Sequence, residues 1–346
     1  MRSPAADNSP ASKPGGPRAL VTGGAGFIGS HLVERLLADG ARVTIVDDLS
    51  TGRVENLAGA RDQVRFIEDD LRHALEGELA DATFDEVYHL AAAVGVDLVM
   101  REPVRAIETN VELTSALLRF AEGVRPGGVP TLIASSSEVY GKPGKELFSE
   151  EDDVLYGPTS VTRWSYACSK AIDEYLALAY AREGRCPAVV VRLFNTVGPR
   201  QVGDYGMVVP RFVRAAIEGK PLRVFGDGSQ SRCFCDVRDV VGALTRLVRE
   251  PAGAGRVFNL GSDSPTTIME LAELVVETLG SDSQIVKVPY SDAYPAGFED
   301  LRHRKPDLTR VRELIAFGAA VPLATTIRDI ASELARKGAP AAGESG

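Results

Sequence analysis

The chain has 346 residues, of which 44% are hydrophobic and 25% are charged, and its formal net charge is −9. These values are typical of a globular protein with one large or two average domains and an ample core. The negative charge argues against nucleic acid or an anionic membrane as the main partner, and no apolar run reaches the roughly 18 residues that span a bilayer.

A glycine-rich turn joins the first predicted strand, 19–21, to a helix that begins at Phe27. Its glycines stand three apart, at Gly23, Gly26 and Gly29. In a dinucleotide-binding turn these positions allow a tight bend, close approach of the backbone to a pyrophosphate, and close packing of the helix on the strand. The free N–H groups of the helix N-terminus then face the phosphates. Because glycine triplets also occur in plain turns, the surrounding sequence decides.

That surrounding sequence favours a bound dinucleotide. The helix after the turn is amphipathic, with Ile28 and Leu32 on one face, and the next strand, 43–46, ends at Asp47. Asp47 lies 18 residues after Gly29, near the spacing of the acid that binds the adenosine ribose hydroxyls. Because a carboxylate there repels a 2′-phosphate, the sequence favours NAD over NADP.

The strands that follow also end in residues suited to a ligand. They are predicted at 64–67, 87–90, 132–134 and 189–194, and the residues after them are Asp70 and Leu71, the alanines 91–93, the serines 135–137, and Asn195. Strands alternating with helices predict a doubly wound parallel Rossmann sheet, which binds ligands at the carboxyl ends of its strands. Asp70 is either a solvated acid or a partner of the adenine amino group, with Leu71 against the ring.

The pattern changes after Gly198, which predicts a smaller C-terminal α/β domain. Helices are expected at 209–217, 236–248, 266–279, 307–315 and 323–337, and strands at 222–225 and 257–260. We expect an NAD-binding domain over 18–198 plus about 232–262, a substrate-binding domain over 199–231 plus 263–338, and disordered tails at 1–17 and 339–346. The first tail lacks the apolar region of a signal peptide. Four arginines of this region could clamp a ligand's phosphates: Arg200, Arg232, Arg302 and Arg304.

Tyr166 and Lys170 stand four apart in a predicted helix, 164–181, so their side chains share one face. A tyrosine is a poor base at neutral pH, and a neighbouring ammonium lowers its pKa by stabilising the phenolate. Ser136, at a strand end, can hydrogen-bond the same substrate oxygen. A lone Tyr-x-x-x-Lys pattern is mostly structural, but here it follows a dinucleotide motif and a serine cluster.

The cysteines and histidines suggest no further site. Four scattered cysteines predict buried thiols in a reducing cytoplasm rather than a disulfide framework or a zinc site. His31 lies in the first helix and His89 ends a strand, and neither is next to a nucleophile in sequence. We expect both to be structural, and we expect no metal.

Taken together, these motifs resemble the extended short-chain dehydrogenase/reductases of the NAD-dependent sugar-nucleotide epimerase/dehydratase family, over roughly residues 17 to 337. The matching stretches are TGGAGFIGS, IVDDLSTG, EDDLR, HLAAA, SSSEVYG, YACSK, VRLFNTVGPRQ, GDGSQSRCFCDVRD and VFNLGS. The resemblance implies that Asp70 and Leu71 border adenine and that Lys170 bonds the nicotinamide ribose. It also implies that Ser136 and Tyr166 handle the sugar 4-hydroxyl, and that the nucleotide diphosphate is held by Asn195, Arg232 and Arg304.

The predicted site residues form three sets. The cofactor NAD is assigned to Gly23, Gly26, Phe27, Ile28, Gly29, Asp47, Asp70, Leu71, Leu90, Ala91, Ala92, Asn110, Tyr166 and Lys170. The substrate, a UDP-sugar, is assigned to Glu138, Asn195, Arg200, Val209, Arg232 and Arg304. The catalytic residues are predicted to be Ser136, Ser137, Glu138, Tyr166, Lys170 and Arg232.

Glu138 decides between the activities of this family, which all begin by oxidising the sugar at C4. The stretch around it, with Arg163-Trp164 and Arg232-Cys233, is most similar to UDP-glucuronate decarboxylases. Oxidising C4 of a glucuronide gives a β-keto acid that loses CO₂, and Glu138, with a pKa raised by burial, would then transfer a proton at C5. Arg232 would orient the departing carboxylate or bind phosphate. Glu138 could instead be a plain helix-capping acid.

Two other functions stay open at this point. One is a UDP-sugar 4-epimerase acting on UDP-glucose or UDP-glucuronate, and the other is a non-catalytic NAD-binding sensor, which would be expected to have lost Tyr166 or Lys170. The sequence leaves open whether the nucleotide is UDP or dTDP, and whether the keto-pentose is released or reduced to UDP-xylose. The resemblance also implies a homodimer formed through the helices that carry Asn110 and Tyr166.

Overall fold

A computed structural model describes residues 15–93, 101–203, 207–289 and 304–338. The strands are β1 (Arg18–Thr22), β2 (Arg42–Asp47), β3 (Val64–Glu68), β4 (Glu86–His89), β5 (Thr131–Ser136), β6 (Leu147–Phe148), β7 (Ala188–Leu193), β8 (Thr196–Val197), β9 (Leu222–Phe225), β10 (Ser231–Arg232), β11 (Cys235–Asp236), β12 (Val257–Leu260), β13 (Thr266–Thr267), β14 (Ile285–Val288) and β15 (Lys305–Pro306). The α-helices are α1 (Phe27–Ala38), α2 (Leu71–Glu76), α3 (Pro103–Gly123), α4 (Trp164–Arg182), α5 (Val208–Ile217), α6 (Val237–Arg249), α7 (Ile268–Leu279), α8 (Thr309–Ile315) and α9 (Leu323–Gly338).

A seven-stranded parallel sheet forms the centre of the molecule, in the order β12-β7-β5-β4-β1-β2-β3. Its strands are apolar on both faces because helices cover both sides, as expected for parallel sheets. Leu20 pairs with Val87 and Ile133 with Val190 in the middle of the sheet. The predicted doubly wound Rossmann fold is confirmed, and the carboxyl ends of β1, β2, β4, β5 and β7 meet at one edge.

Two hydrophobic cores flank this sheet. On one face α1 and α6 pack against the strands, with Leu32 and Leu244 fully buried, and on the other face α2, α3 and α4 do so. Helix α8 also packs in the first core, through Val311 and Ile315. The domain division drawn from the sequence assigns α8 to the second unit, so here the structure differs. The apolar side chains of this short helix pack against the first core, beside the central sheet.

A third core belongs to the C-terminal region. Helices α5, α7 and α9 enclose it together with the parallel pair β9–β14, and Phe212 and Leu271 are fully buried there. Thr267 and Glu270 form a capping box at the start of α7, which satisfies N–H groups that have no partner within the helix. This core confirms the predicted smaller α/β unit.

Several elements have no counterpart in the prediction: helix α2, strand β14 and the two-residue strands β6, β8, β10, β11, β13 and β15. Helix α2 has six residues, and its apolar pattern is too short to identify, but the Asp70 carboxylate caps it by accepting from the Arg72 N–H at 2.8 Å. Strand β14 has exposed middle residues and, among the described strands, pairs only with β9 at the edge of the second unit.

Two predictions fall on residues that the structure does not describe. The predicted loop 203–206 lies mostly outside the described residues, and Arg302 lies wholly outside them. In the described part of the chain, no helix has both the length and the hydropathy of a transmembrane segment.

Candidate active site

The turn after β1 is shaped by glycines that admit no side chain. Gly23 has a φ of +71°, and a Cβ there would lie 2.7 Å from the backbone N of Ala91. A Cβ on Gly29 would lie 2.1 Å from the Gly23 carbonyl oxygen. Gly26 immediately precedes α1 and, among the described residues, no side-chain cap occupies the N-terminus of this helix, which leaves N–H groups of its first turn for a ligand. This cradle fits the pyrophosphate of a dinucleotide.

Asp47 lies at the carboxyl end of β2 and is buried. One carboxylate oxygen accepts from the Ala25 N–H at 2.8 Å and the other from the Leu49 N–H at 2.9 Å. Burial raises the pKa of Asp47, and these two backbone donors oppose the rise. Asp47 therefore ties the glycine turn to the end of β2. The structure thus places Asp47 beside the glycine turn. Its contact with the ribose of a cofactor stays a prediction.

The residues assigned to adenine have partners of their own. The Asp70 carboxylate is paired with Arg72, with 2.8 Å between Oδ2 and Nη2, and its hydrogen bonds to the Arg72 side chain lower the pKa of Asp70. Leu71 is buried against the core under β3. Asp70 would have to share its carboxylate between Arg72 and a base, a competition that the sequence did not reveal.

Asn110 supports the small-residue loop after β4. Its Oδ1 accepts from the Ala93 N–H at 2.8 Å, and its Nδ2 donates to the Ser169 hydroxyl at 3.1 Å. The side chain is buried, so it positions the loop that contains Ala91 and Ala92 relative to α4. Direct contact of Asn110 with the cofactor stays a prediction.

Ser136 and Tyr166 meet at the edge of the sheet, as predicted. Ser136 ends β5 and its hydroxyl is hydrogen-bonded to Tyr166, which is carried by α4. The pKa of Tyr166 is raised, chiefly by burial and further by the charges of Glu138 and Asp173. In the ligand-free protein burial and these two charges decide the direction of the shift, and the predicted effect of Lys170 on this pKa stays a prediction. The phenol is held in its protonated form.

Lys170 lies one turn along α4 from Tyr166, where it is almost completely buried. Its Nζ is 2.8 Å from Oδ2 of Asp173, which is fully buried as well. The positive charge that was expected to act on Tyr166 is thus shared with a carboxylate. Sequence reasoning missed Asp173, because an acid three residues after a lysine on a helix usually marks an exposed ion pair.

Glu138 lies among arginines that come from distant parts of the chain. Its Oε1 is 2.6 Å from Nη1 of Arg304, and its Oε2 is 3.9 Å from Nη2 of Arg163. Arg232, in β10, also acts on its charge. Three guanidinium groups around one carboxylate leave this cluster net positive, which suits a ligand that carries several negative charges.

The prediction that burial raises the pKa of Glu138 is wrong in the ligand-free protein. Burial alone would raise the pKa, but Arg304, Arg163 and Arg232 together outweigh burial and lower it. Arg304, which was predicted to hold the diphosphate, pairs in the ligand-free protein with Glu138, and its Nη1 lies 3.4 Å from the Ser137 hydroxyl oxygen. Its contact with a diphosphate stays a prediction. Its Nε has no hydrogen-bond partner in the described part of the chain, so it can still donate to a ligand.

Asn195, which follows β7, has features of a binding residue. Its φ is +28°, in the left-handed region that a side chain rarely adopts, and its buried Nδ2 has no hydrogen-bond partner among the described residues. Backbone strain and an unsatisfied buried donor are both costly, and both are typical of functional positions. A ligand oxygen would satisfy this donor.

Two other predicted substrate residues are placed less favourably. Arg200 pairs with Glu34 of α1, and its backbone N–H donates to Glu333 of α9, so the structure joins it to carboxylates rather than to the Glu138 cluster. The Val209 side chain is buried in the third core. A ligand could therefore reach Val209 through its backbone N–H in the first turn of α5.

The remaining cysteines and histidines agree with their predicted structural roles. Cys186, Cys233 and Cys235 are buried and free, and Cys168 is half-buried and also free. His31 bonds the Pro199 carbonyl oxygen at 3.0 Å. Burial lowers the pKa of His89 to about 3, and its ring bonds the hydroxyls of Thr22 and Thr114.

Comparisons with known proteins agree with this geometry. The model of the NAD dependent epimerase/dehydratase family matches residues 19–261. A UDP-N-acetyl-alpha-D-glucosaminuronate decarboxylase of Bacillus cytotoxicus is 43% identical over 87% of this chain and 92% of its own length. UDP-glucuronic acid decarboxylase 4 of Arabidopsis thaliana is 38% identical over 88% of this chain, and the match spans 66% of that longer protein.

A solved structure shares the fold as well. UDP-glucuronic acid 4-epimerase from Bacillus cereus, in complex with UDP-glucuronic acid and NAD, superposes with a TM-score of 0.80 at 25% identity, covering 92% of this chain and 99% of that one. The glycine turn and the parallel sheet are the features that the sequence pattern predicted. The chain belongs to the NAD-dependent epimerase/dehydratase family of extended short-chain dehydrogenase/reductases.

Proposed function

We propose that this protein is an NAD-dependent decarboxylase of UDP-glucuronate that oxidises the sugar at C4 and releases C6 as CO₂. The observation that supports it most directly is the Glu138–Arg304 pair, because an acid and an arginine are joined beside the tyrosine expected to act at C4. The two decarboxylase relatives point to the same chemistry on UDP-uronates. Asn195 and Arg232 are proposed to hold the diphosphate, together with Arg200.

The cofactor site is proposed on the glycine cradle, with Asp47 at the ribose and the loop that contains Ala91 and Ala92 beneath the rings. Any side chain at Gly23 or Gly29 would collide with backbone atoms, and this requirement for glycine supports the proposal. NAD held there would supply the acceptor for the hydride that leaves C4. Tyr166 takes the proton of the 4-hydroxyl as a phenolate, the form that the Lys170 ammonium one turn away stabilises, and Ser136 holds the same oxygen through its hydroxyl.

The next step is carried by the arginine cluster. The substrate carboxylate is attracted by Arg304 and Arg163, and C6 then leaves as CO₂ while its bonding electrons pass to C5 and the C4 oxygen. When the substrate carboxylate shares the charge of Arg304, less of that charge acts on Glu138 and its pKa rises, since burial then dominates. Glu138 can therefore hold a proton near C5 in the complex, although it is ionised in the free protein.

The decisive experiment is to incubate the purified protein with NAD and UDP-glucuronate and to follow CO₂ and the nucleotide products by mass. We expect CO₂ with a UDP-pentose, either UDP-4-keto-pentose or UDP-xylose. UDP-N-acetylglucosaminuronate is the second substrate to test, because the relative at 43% identity is named for it.

A UDP-sugar 4-epimerase is the second candidate, which the fold of the solved UDP-glucuronic acid 4-epimerase supports. In that case UDP-glucuronate returns as UDP-galacturonate without CO₂, or UDP-glucose and UDP-galactose interconvert. Bound NAD with no turnover of any of these sugars would support the sensor alternative instead.

Asp47 provides a test of cofactor choice. Asp47→Ala should narrow the preference for NAD over NADP, because the carboxylate that faces the 2′-phosphate is removed. Asp48→Ala is a matched control, since Asp48 is the adjacent, exposed carboxylate. Dissociation constants of both nucleotides, measured by titration calorimetry, check the prediction. Equal affinity of the unchanged protein for NAD and NADP would contradict it.

A homodimer formed through α3 and α4 is also proposed. These helices pack on each other and leave Val104, Ile107, Ile172 and Tyr175 exposed, Tyr175 at 72%. An apolar patch of this kind on two adjacent helices suits a four-helix contact with a second copy.

Replacing Ile172 and Tyr175 together by Asp should give monomers in sedimentation experiments, because two buried charges at such a contact are costly. Ile217→Asp is the control, since Ile217 is a comparably exposed isoleucine on α5. A doubly substituted protein that still sediments as a dimer would place the contact elsewhere.

We propose the cytoplasm as the location of the protein. The free cysteines support a reducing compartment of this kind.

A further inference from the structure

A buried polar network lies under the proposed reaction site. Lys170 and Asp173 form an ion pair at 2.8 Å whose side chains are 3% and 0% exposed. The Thr114 hydroxyl, on α3, lies 3.1 Å from Nε2 of His89 and acts on the Asp173 carboxyl, whose Oδ1 has no hydrogen-bond partner among the described residues. The network thus joins α4, α3 and the end of β4 beneath Tyr166.

The charges around Lys170 are few. His89 is neutral at physiological pH because burial lowers its pKa to about 3, so it supplies no charge. Glu174, the next residue after Asp173, is paired with Arg192 at 2.7 Å. Glu138 acts on Tyr166 but is itself surrounded by arginines. The carboxylate that faces the Lys170 ammonium is therefore that of Asp173. Burial raises the pKa of Asp173, and the Lys170 charge opposes this rise, so each group of the pair favours the charged form of the other.

A buried ammonium without a counter-ion is strongly unfavourable and gives up its proton instead. We propose that Asp173 is a positioning residue that keeps Lys170 charged and fixed one turn from Tyr166. Lys170 can then stabilise the phenolate that Tyr166 forms. One Oδ2 contact occupies one of the three N–H donors of the ammonium, which leaves two for Tyr166 and a ribose. The inference assigns Asp173 a part in the proposed function, and its first test is independent of that function.

The first test observes Lys170 directly in the protein without substrate. The chain has eight lysines, so ¹³Cε-labelled lysine gives a small set of resonances, and a Lys170→Met variant assigns one of them. In the unchanged protein we expect the Lys170 resonance to keep its protonated shift between about pH 6 and pH 9. In Asp173→Asn we expect it to titrate within that range, while in Asp173→Glu it should stay protonated.

The second test measures turnover of the UDP-sugar that the protein accepts, as a function of pH. Asp173→Asn should lose about tenfold or more of kcat at pH 8 and recover as the pH falls, because the uncompensated lysine is protonated again. Glu174→Gln is the matched control, since it also removes a buried carboxylate from an ion pair. It should lower thermal stability but leave the pH profile of kcat unchanged.

The outcomes separate the two proposals. A Lys170 resonance that titrates in the unchanged protein, or that stays protonated in Asp173→Asn, overturns the role of Asp173 whatever the substrate. If the Asp173→Asn protein fails to fold, the resonance of the unchanged protein and of Asp173→Glu still decides. Absence of turnover on every UDP-sugar would count against the proposed function but would leave the NMR result as the test of Asp173.

Discussion

Tyr166→Phe is expected to lower the rate of C4 oxidation by about 10²–10⁴, the usual contribution of a positioned acid–base group. The change removes one hydroxyl, which meets Ser136 at the end of β5, and it leaves the helix and its packing intact. Folding and NAD binding should therefore be preserved. Pre-steady-state absorbance at 340 nm with UDP-glucuronate measures the step directly.

A matched control lies on the same helix. Tyr175→Phe removes the hydroxyl of an exposed tyrosine of α4 and should leave the rate within a few-fold of the unchanged protein. If Tyr166→Phe behaved like this control, Tyr166 would not be the base, and the positions of Ser136 and Lys170 would need another interpretation.

Glu138→Gln is expected to slow CO₂ release by on the order of 10²-fold while C4 oxidation continues. Gln keeps the shape of the side chain but carries neither the charge that pairs with Arg304 nor a transferable proton. The two steps can be separated by following absorbance at 340 nm and ¹⁴CO₂ from C6-labelled substrate in one experiment. Parallel loss of both signals would mean that Glu138 serves binding or folding rather than the step after oxidation.

The pH dependence of this step has a definite sign. In the free protein Arg304 and its neighbours lower the pKa of Glu138, so Glu138 stays ionised to lower pH than an ordinary glutamate. Arg304→Met removes the nearest of these charges, and burial should then raise the pKa of Glu138. Because the proposed step needs Glu138 in its protonated form, activity falls as the pH rises through the pKa of this group. We expect this alkaline limb of kcat/KM to move to higher pH in Arg304→Met. An unmoved limb would show that another group titrates there.

Much of the fold follows from local patterns in the sequence. The glycine turn, the strand that ends at Asp47 and the alternation of strands and helices each depend on neighbouring residues, and the structure has them where they were expected. Helix α2 and strand β14 were missed because their lengths, six and four residues, give too little periodicity. Helix α8 was assigned to the second domain, but it packs in the first hydrophobic core. Its partners in that core are far away in sequence.

The site shows the same limit more clearly. The positions of Ser136, Tyr166 and Lys170 could be predicted, but the electrostatics of Glu138 and Tyr166 could not. The charge on Glu138 depends on Arg163 and Arg304, which the sequence separates from it by 25 and 166 residues. A pKa is the sum of burial and all nearby charges, so its direction follows from the tertiary structure and not from a motif.

The order of strands in the central sheet also bears on synthesis of the chain. Edge strand β12 pairs with β7 but is separated from it in sequence by the whole of α5, β9 and α6. While a ribosome is making that stretch, the outer hydrogen-bonding groups of β7 have no partner, and Val190 and Val191 stand at an open sheet edge. Such an edge readily pairs with other chains. The nascent protein would therefore need protection of this edge, for example by a chaperone, in the interval between the synthesis of these two strands.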